Sequence, residues 1–158
     1  AFMLDSVLTY FISFDYMKSS FMFISCMGLM TFTLINNELK DEEYLGYAIL
    51  TGIYYSIMYA DSLYLYILIY VVIARLGRKY MKYSSYSFIE SYLFCFSTII
   101  FQEVVIYIMM ILSKVTKLSL VKFLTLRLLP TLVMNSVLFI GVFYGYHYLN
   151  KKLQERIK

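Results

Sequence analysis

The chain has no tryptophan, one proline (Pro130), one histidine (His147) and two cysteines in 158 residues. Each scarcity removes a class of protein. A lone histidine excludes a histidine-based metal cluster. The cysteines lie inside apolar runs, FISCMGLM around Cys26 and YLFCFSTI around Cys95. They read as packing residues rather than as a disulfide or a metal site. No phosphate loop, HExxH, CxxC or GxSxG occurs, so neither an enzyme nor a bound cofactor or metal is expected. Charge is scarce as well: charged residues make 15%, against roughly 25% in a globular chain. The basic excess of +4 is small, and no nucleic-acid partner is expected.

What fills the chain is apolar. Hydrophobic residues make 61%, with 18 tyrosines and 13 phenylalanines, and mean hydropathy is +0.71. A soluble domain of this size leaves much of its area exposed and cannot hide that much apolar surface. The composition therefore predicts an integral membrane protein forming one domain over 1–158, with membrane lipid as its main solvent. Lipid permits only helices or closed barrels. Continuous apolar runs without in–out alternation favour an all-α bundle.

Polar breaks divide the chain into six segments: Ala1–Phe14, Phe21–Ile35, Tyr44–Ala60, Ser62–Leu76, Phe88–Leu112 and about Leu118–Asn150. The first is shorter than the ~20 residues of a spanning helix, so its helix is expected to begin upstream of Ala1. The third and fourth, parted by Asp61, read as a hairpin. The sixth is too long for one crossing. Pro130 there predicts a kink, or the point where a surface-lying helix turns inward. With six crossings, one side carries nine basic residues, among them Lys40, Arg75, Arg78, Lys79, Lys82 and Lys158, and the other carries Lys18, Lys114, Lys117 and Lys122. The positive-inside rule puts the nine, and both termini, in the cytoplasm. Tyr80, Tyr83 and Tyr86 read either as interface anchors or as instances of a common residue.

Polar residues at membrane depth are the candidate site. Gln102 and Glu103 sit near the centre of the fifth segment, where an ionised carboxylate costs at least ~2.5 kcal/mol. They read as a polar clamp between helices, ahead of a transport or proton site. Glu103 falls about 13 Å below the outer end of its helix, and Asn135 about 12 Å deeper than Arg127, at 1.5 Å per residue. Glu103 or Gln102 is therefore expected to bond to Asn135, with Arg127 above them or reaching down. On that reading Glu103→Gln is mild, because the amide still bonds to Asn135. Gly141 and Gly145 form a GxxxG, and Gly52 belongs to a small face on the third segment. These are candidate close contacts for another helix, in this chain or a partner.

The sixth segment, with its RLLPTLVMN core, Tyr-rich run and basic end, resembles the last helix of the rod-shape-determining protein MreD family. GYAILTGIYYSIMYADSLYLYILIYVVIARLGRKY resembles that family's third and fourth segments. Gly52, Arg127, Pro130 and Asn135 are the matching positions, while Ser56 stands where the family often has aspartate. The resemblance implies a non-enzymatic, multi-pass scaffold of the cell-elongation machinery in the bacterial cytoplasmic membrane. It implies a single-span MreC-like partner and links to a RodA-type glycosyltransferase, its class B penicillin-binding partner and MreB-type filaments. It also implies the fold of the substrate-binding components of energy-coupling-factor transporters. The alternative is accordingly a vitamin-type small-molecule binding component.

Overall fold

The computed structural model describes residues 3–5, 7–8, 23–59, 63–81, 87–114, 116 and 118–157. Asp61, Lys18, Lys82, Tyr83, Tyr86, Lys117 and Lys158 lie outside the described residues. Regular structure among the described residues is helical throughout: α1 Met27–Glu38, α2 Tyr44–Tyr59, α3 Leu63–Met81, α4 Phe88–Leu112, α5 Leu120–Phe123, a π-helical turn Leu124–Leu128, and α6 Leu129–Ile157. Residues 3–5 and 7–8 are helical too. Two runs, Phe88–Leu112 and Leu120–Leu153, are long and apolar enough to cross a membrane.

The segment boundaries follow local chemistry more closely than hydropathy. The second apolar segment does not form a helix from its start. Residues 23–26 are non-helical and α1 begins at Met27, running on to Glu38. Hydropathy cannot see this break, because the residues on both sides are equally apolar. The fourth segment runs five residues past its apolar end, to Met81, because Arg78 and Lys79 suit the last turn of a helix.

At Pro130, where the sequence predicts a kink or an inward turn, the chain stays helical. Pro130 has no N–H, and its ring crowds the carbonyl four residues back. The turn before it widens to a π-turn, in which the Leu129 N–H donates to the Leu124 carbonyl. The Leu120–Leu153 run has 34 residues. It measures about 51 Å at 1.5 Å per residue, longer than a bilayer core of about 30 Å.

The chain divides into two compact units, Ala1–Thr31 with Ile99–Lys158, and Phe32–Thr98. In the second unit, α2 and α3 pack as a hairpin with a tyrosine-rich core. Phe32 stacks on Tyr47 at 5.2 Å and meets Tyr70 edge-on at 4.8 Å, and Tyr55 stacks on Tyr70 at 5.1 Å. Asn36 Nδ2 donates to the Ala74 carbonyl at 3.2 Å, and Thr33 Oγ1 lies 2.9 Å from Cys95 Sγ. Arg78 ties the α1–α2 connection to α3 through Asp41 at 3.0 Å, the Leu39 carbonyl and the Tyr44 ring. In the first unit, Tyr107 of α4 stacks on Phe123 of α5 at 4.1 Å and donates to the Leu118 carbonyl at 3.0 Å.

Candidate functional site

The first unit gathers buried polar side chains around the start of α1. A helix begins with four N–H groups that have no partner inside it. Asp5 supplies the missing acceptor from twenty-odd residues upstream. The Met27 N–H donates to its Oδ1 at 2.8 Å and the Gly28 N–H to its Oδ2 at 2.6 Å. Ser25 Oγ donates to Oδ1 at 2.5 Å. A carboxylate also suits the positive end of the helix dipole, and burial magnifies that attraction.

The non-helical residues before α1 have backbone groups of their own to satisfy, and Asn135 of α6 serves both kinds. Its Oδ1 accepts from the Cys26 N–H at 2.9 Å, and its Nδ2 donates to the Ile24 carbonyl at 2.8 Å. The second Nδ2 hydrogen reaches the Thr131 carbonyl at 2.8 Å. An asparagine amide can offer one acceptor and two donors to a backbone in this way, which no apolar residue can.

One helical turn apart on the run from the π-turn into α6 stand Arg127, Thr131 and Asn135, on one face. Arg127 Nε meets Glu103 Oε2 of α4 at 2.8 Å, and its Nη1 lies 3.9 Å from Met110 Sδ. The Glu103 side chain is fully buried and that of Arg127 is 14% exposed. The Cys26 thiol lies within electrostatic reach of Glu103, Asp5 and Arg127, so the helix start and the ion pair form one polar cluster. Three buried oxygens in it have no protein partner: Glu103 Oε1, Gln102 Oε1 and Thr131 Oγ1.

The clamp expected from depth matching is therefore rearranged. Glu103 bonds to Arg127, and Asn135 spends its amide on residues 24, 26 and 131. Depth matching places these residues at comparable levels but gives no azimuth around the helix. It also ignores the broken backbone, which claims the amide first. Gln102 is buried but its Oε1 bonds to nothing. Asp5, Ser25 and the backbone before α1 were not part of the expected site. Asp5 carries the same signal as Glu103, an acid within an apolar run, and the cost of burying it applies equally.

The glycines separate by environment. A Cβ on Gly52 would fall 2.5 Å from the Ile67 Cα, so Gly52 is taken up by contact inside the α2–α3 hairpin. Gly141 and Gly145 have nothing within 4 Å of such a Cβ. His147 is exposed, with Nδ1 3.2 Å from the Phe143 carbonyl and its ring tilted over Phe143. Cys26 and Cys95 are free thiols, both buried. Among the described residues no group of three His, Cys, Asp or Glu side chains is placed to hold a metal ion. Comparison of the chain with family models, with curated proteins and with solved structures finds no match.

Proposed function

We propose that this chain is a multi-pass, non-enzymatic scaffold subunit of the bacterial cell-elongation complex, embedded in the cytoplasmic membrane with both termini inside. The observation that carries the membrane reading is the inverted placement of polar and apolar side chains. Leu129, Val133, Val137, Ile140, Tyr144 and Tyr148 form one exposed stripe along α6. It is about 28 Å long at 1.5 Å per residue, close to the ~30 Å thickness of a hydrocarbon core. Val137 is 67% exposed while Asn135 and Glu103 are completely buried. In water that arrangement is penalised twice; in lipid it is the favoured one.

The scaffold reading rests on the MreD-like sequence pattern and on how the polar cluster is used. Asp5 and Asn135 are engaged in starting α1, and Arg127 and Glu103 neutralise each other. The open surface at Gly141 and Gly145 is then the face offered to the single transmembrane helix of an MreC-like partner, with the glycosyltransferase and class B penicillin-binding protein reached through that pair. Purification in mild detergent tests this. A single-span protein should co-purify with the wild type and be lost from a monodisperse Gly145→Leu protein. Unchanged recovery with Gly145→Leu removes this face from the account.

One observation favours the second reading, a small-molecule binding component with the energy-coupling-factor type of fold. Irregular backbone at membrane depth is tolerated mainly where it is buried or lines a cavity, and transporters place substrates beside such broken helices. The break before α1, next to the unpartnered oxygens of Glu103 and Thr131, has that form. Saturable retention of a vitamin-type ligand, abolished by Glu103→Gln in a protein that still binds its partner, would favour this reading over the scaffold.

A further inference from the structure

The second unit contains an open groove of about 620 Å³ between α3 and α4, lined by Leu76, Lys79, Tyr80, Glu90, Leu93 and Phe94, with Ser97 at its far end. Its polarity is graded. Lys79 lies near the last turn of α3 and Glu90 in the first turn of α4, so both charges stand at one end. Leu76 and Leu93 lie about 4.5 Å further in, and Ser97 about 10 Å, at 1.5 Å per residue. Tyr80 and Phe94 stack at 5.3 Å to form an aromatic wall. The Ser97 hydroxyl donates to the Leu93 carbonyl at 2.8 Å, so the inner end offers no free donor. Lys79 makes no ion pair among the described residues.

We infer that this groove holds a zwitterionic phospholipid with a primary amine head group, its phosphate at Lys79 and its ammonium at Glu90, the acyl chains starting along Leu76, Leu93 and Phe94. The inference rests on the membrane-embedded reading above but not on the scaffold role. Charge complementarity selects the occupant. A cation on one wall and a carboxylate on the other match a head group that carries both signs. Glu90 repels a purely anionic head group. A quaternary choline has no N–H to donate to the carboxylate and is bulkier than a primary ammonium. The position also fits: the groove opens beside the strongly basic end of α3, where the positive-inside rule puts the cytoplasmic surface, and a tyrosine marks that depth.

Native mass spectrometry of the detergent-purified protein tests it, with phosphatidylethanolamine, phosphatidylglycerol and phosphatidylcholine of identical chains as the probes. The wild type should retain the ethanolamine lipid at least five-fold over the other two. Lys79→Gln should reduce that retention several-fold, and Glu90→Gln should abolish the preference over phosphatidylcholine while leaving some binding. Both positions lie toward helix ends rather than in a packed core, and the wild-type head-group series stands even if a variant folds poorly. Equal retention of all three lipids, or a preference for phosphatidylglycerol, overturns the inference. Flotation with vesicles, measured separately, reports on membrane insertion itself, so failure of that reading is distinguished from failure of the head-group assignment.

Discussion

Glu103 and Arg127 neutralise each other at a place where neither reaches water. Removing one partner leaves an uncompensated buried charge, which costs about 3–5 kcal/mol. Arg127→Leu should therefore lower the thermal unfolding midpoint in detergent sharply, and Glu103→Leu with Arg127→Met should recover most of the loss. A double variant no more stable than the single one contradicts the pairing. The same pairing revises the expectation for Glu103→Gln, which is mild only if the side chain meets Asn135. With Arg127 as the partner, the amide leaves the guanidinium unneutralised, and the change is expected to be clearly destabilising. The sequence was informative about which residues are unusual at this scale. Glu103, Arg127 and Asn135 all belong to the cluster, because the cost of burying polar groups depends on residue type alone. Who bonds to whom depends on azimuth and on breaks in the backbone, which residue type does not encode.

The start of α1 is the element whose behaviour depends most on distant residues. Losing a helix cap typically costs about 1–2 kcal/mol, and a buried donor left without a partner costs about 1–3 kcal/mol. Asp5→Ala should accordingly destabilise more than Asp5→Asn, which keeps one acceptor but not the charge. Hydrogen exchange at the Met27 and Gly28 amides should accelerate in Asp5→Ala while amides in α4 change little. Equal protection in both variants refutes the capping role. Glycines supply a second contrast. Gly52→Ala pushes a Cβ against the backbone of Ile67, which cannot swing aside, and overpacking of that kind costs about 1–3 kcal/mol. Gly141→Ala meets open space and gains helix propensity, up to about 1 kcal/mol, so its midpoint should stay level or rise. Helix positions were legible where length and composition agree: α4 occupies Phe88–Leu112, the bounds its apolar run predicts, and α2 starts at Tyr44 as predicted. The late start of α1 was not legible, since its cause is a carboxylate and an amide from other parts of the chain.

At the scale of the molecule, the account requires lipid around α6 and a partner helix against one part of it. Orientation is checked by Lys152→Cys, an exposed position on the C-terminal stretch of α6. A membrane-impermeant thiol reagent should fail to label it in intact cells and label it after lysis. Labelling in intact cells would put the C-terminus outside and reverse the topology. The most direct test of the central proposal is photo-crosslinking in living cells from an unnatural amino acid at Tyr144, which is exposed beside Gly145, with Ile57 on α2, equally exposed, as the reference position. The account predicts that Tyr144 captures a single-span membrane protein and that Ile57 captures none or far less of it. Capture of that protein from Ile57 alone, or from neither position while the protein is folded and inserted, would contradict a scaffold that binds its partner through α6.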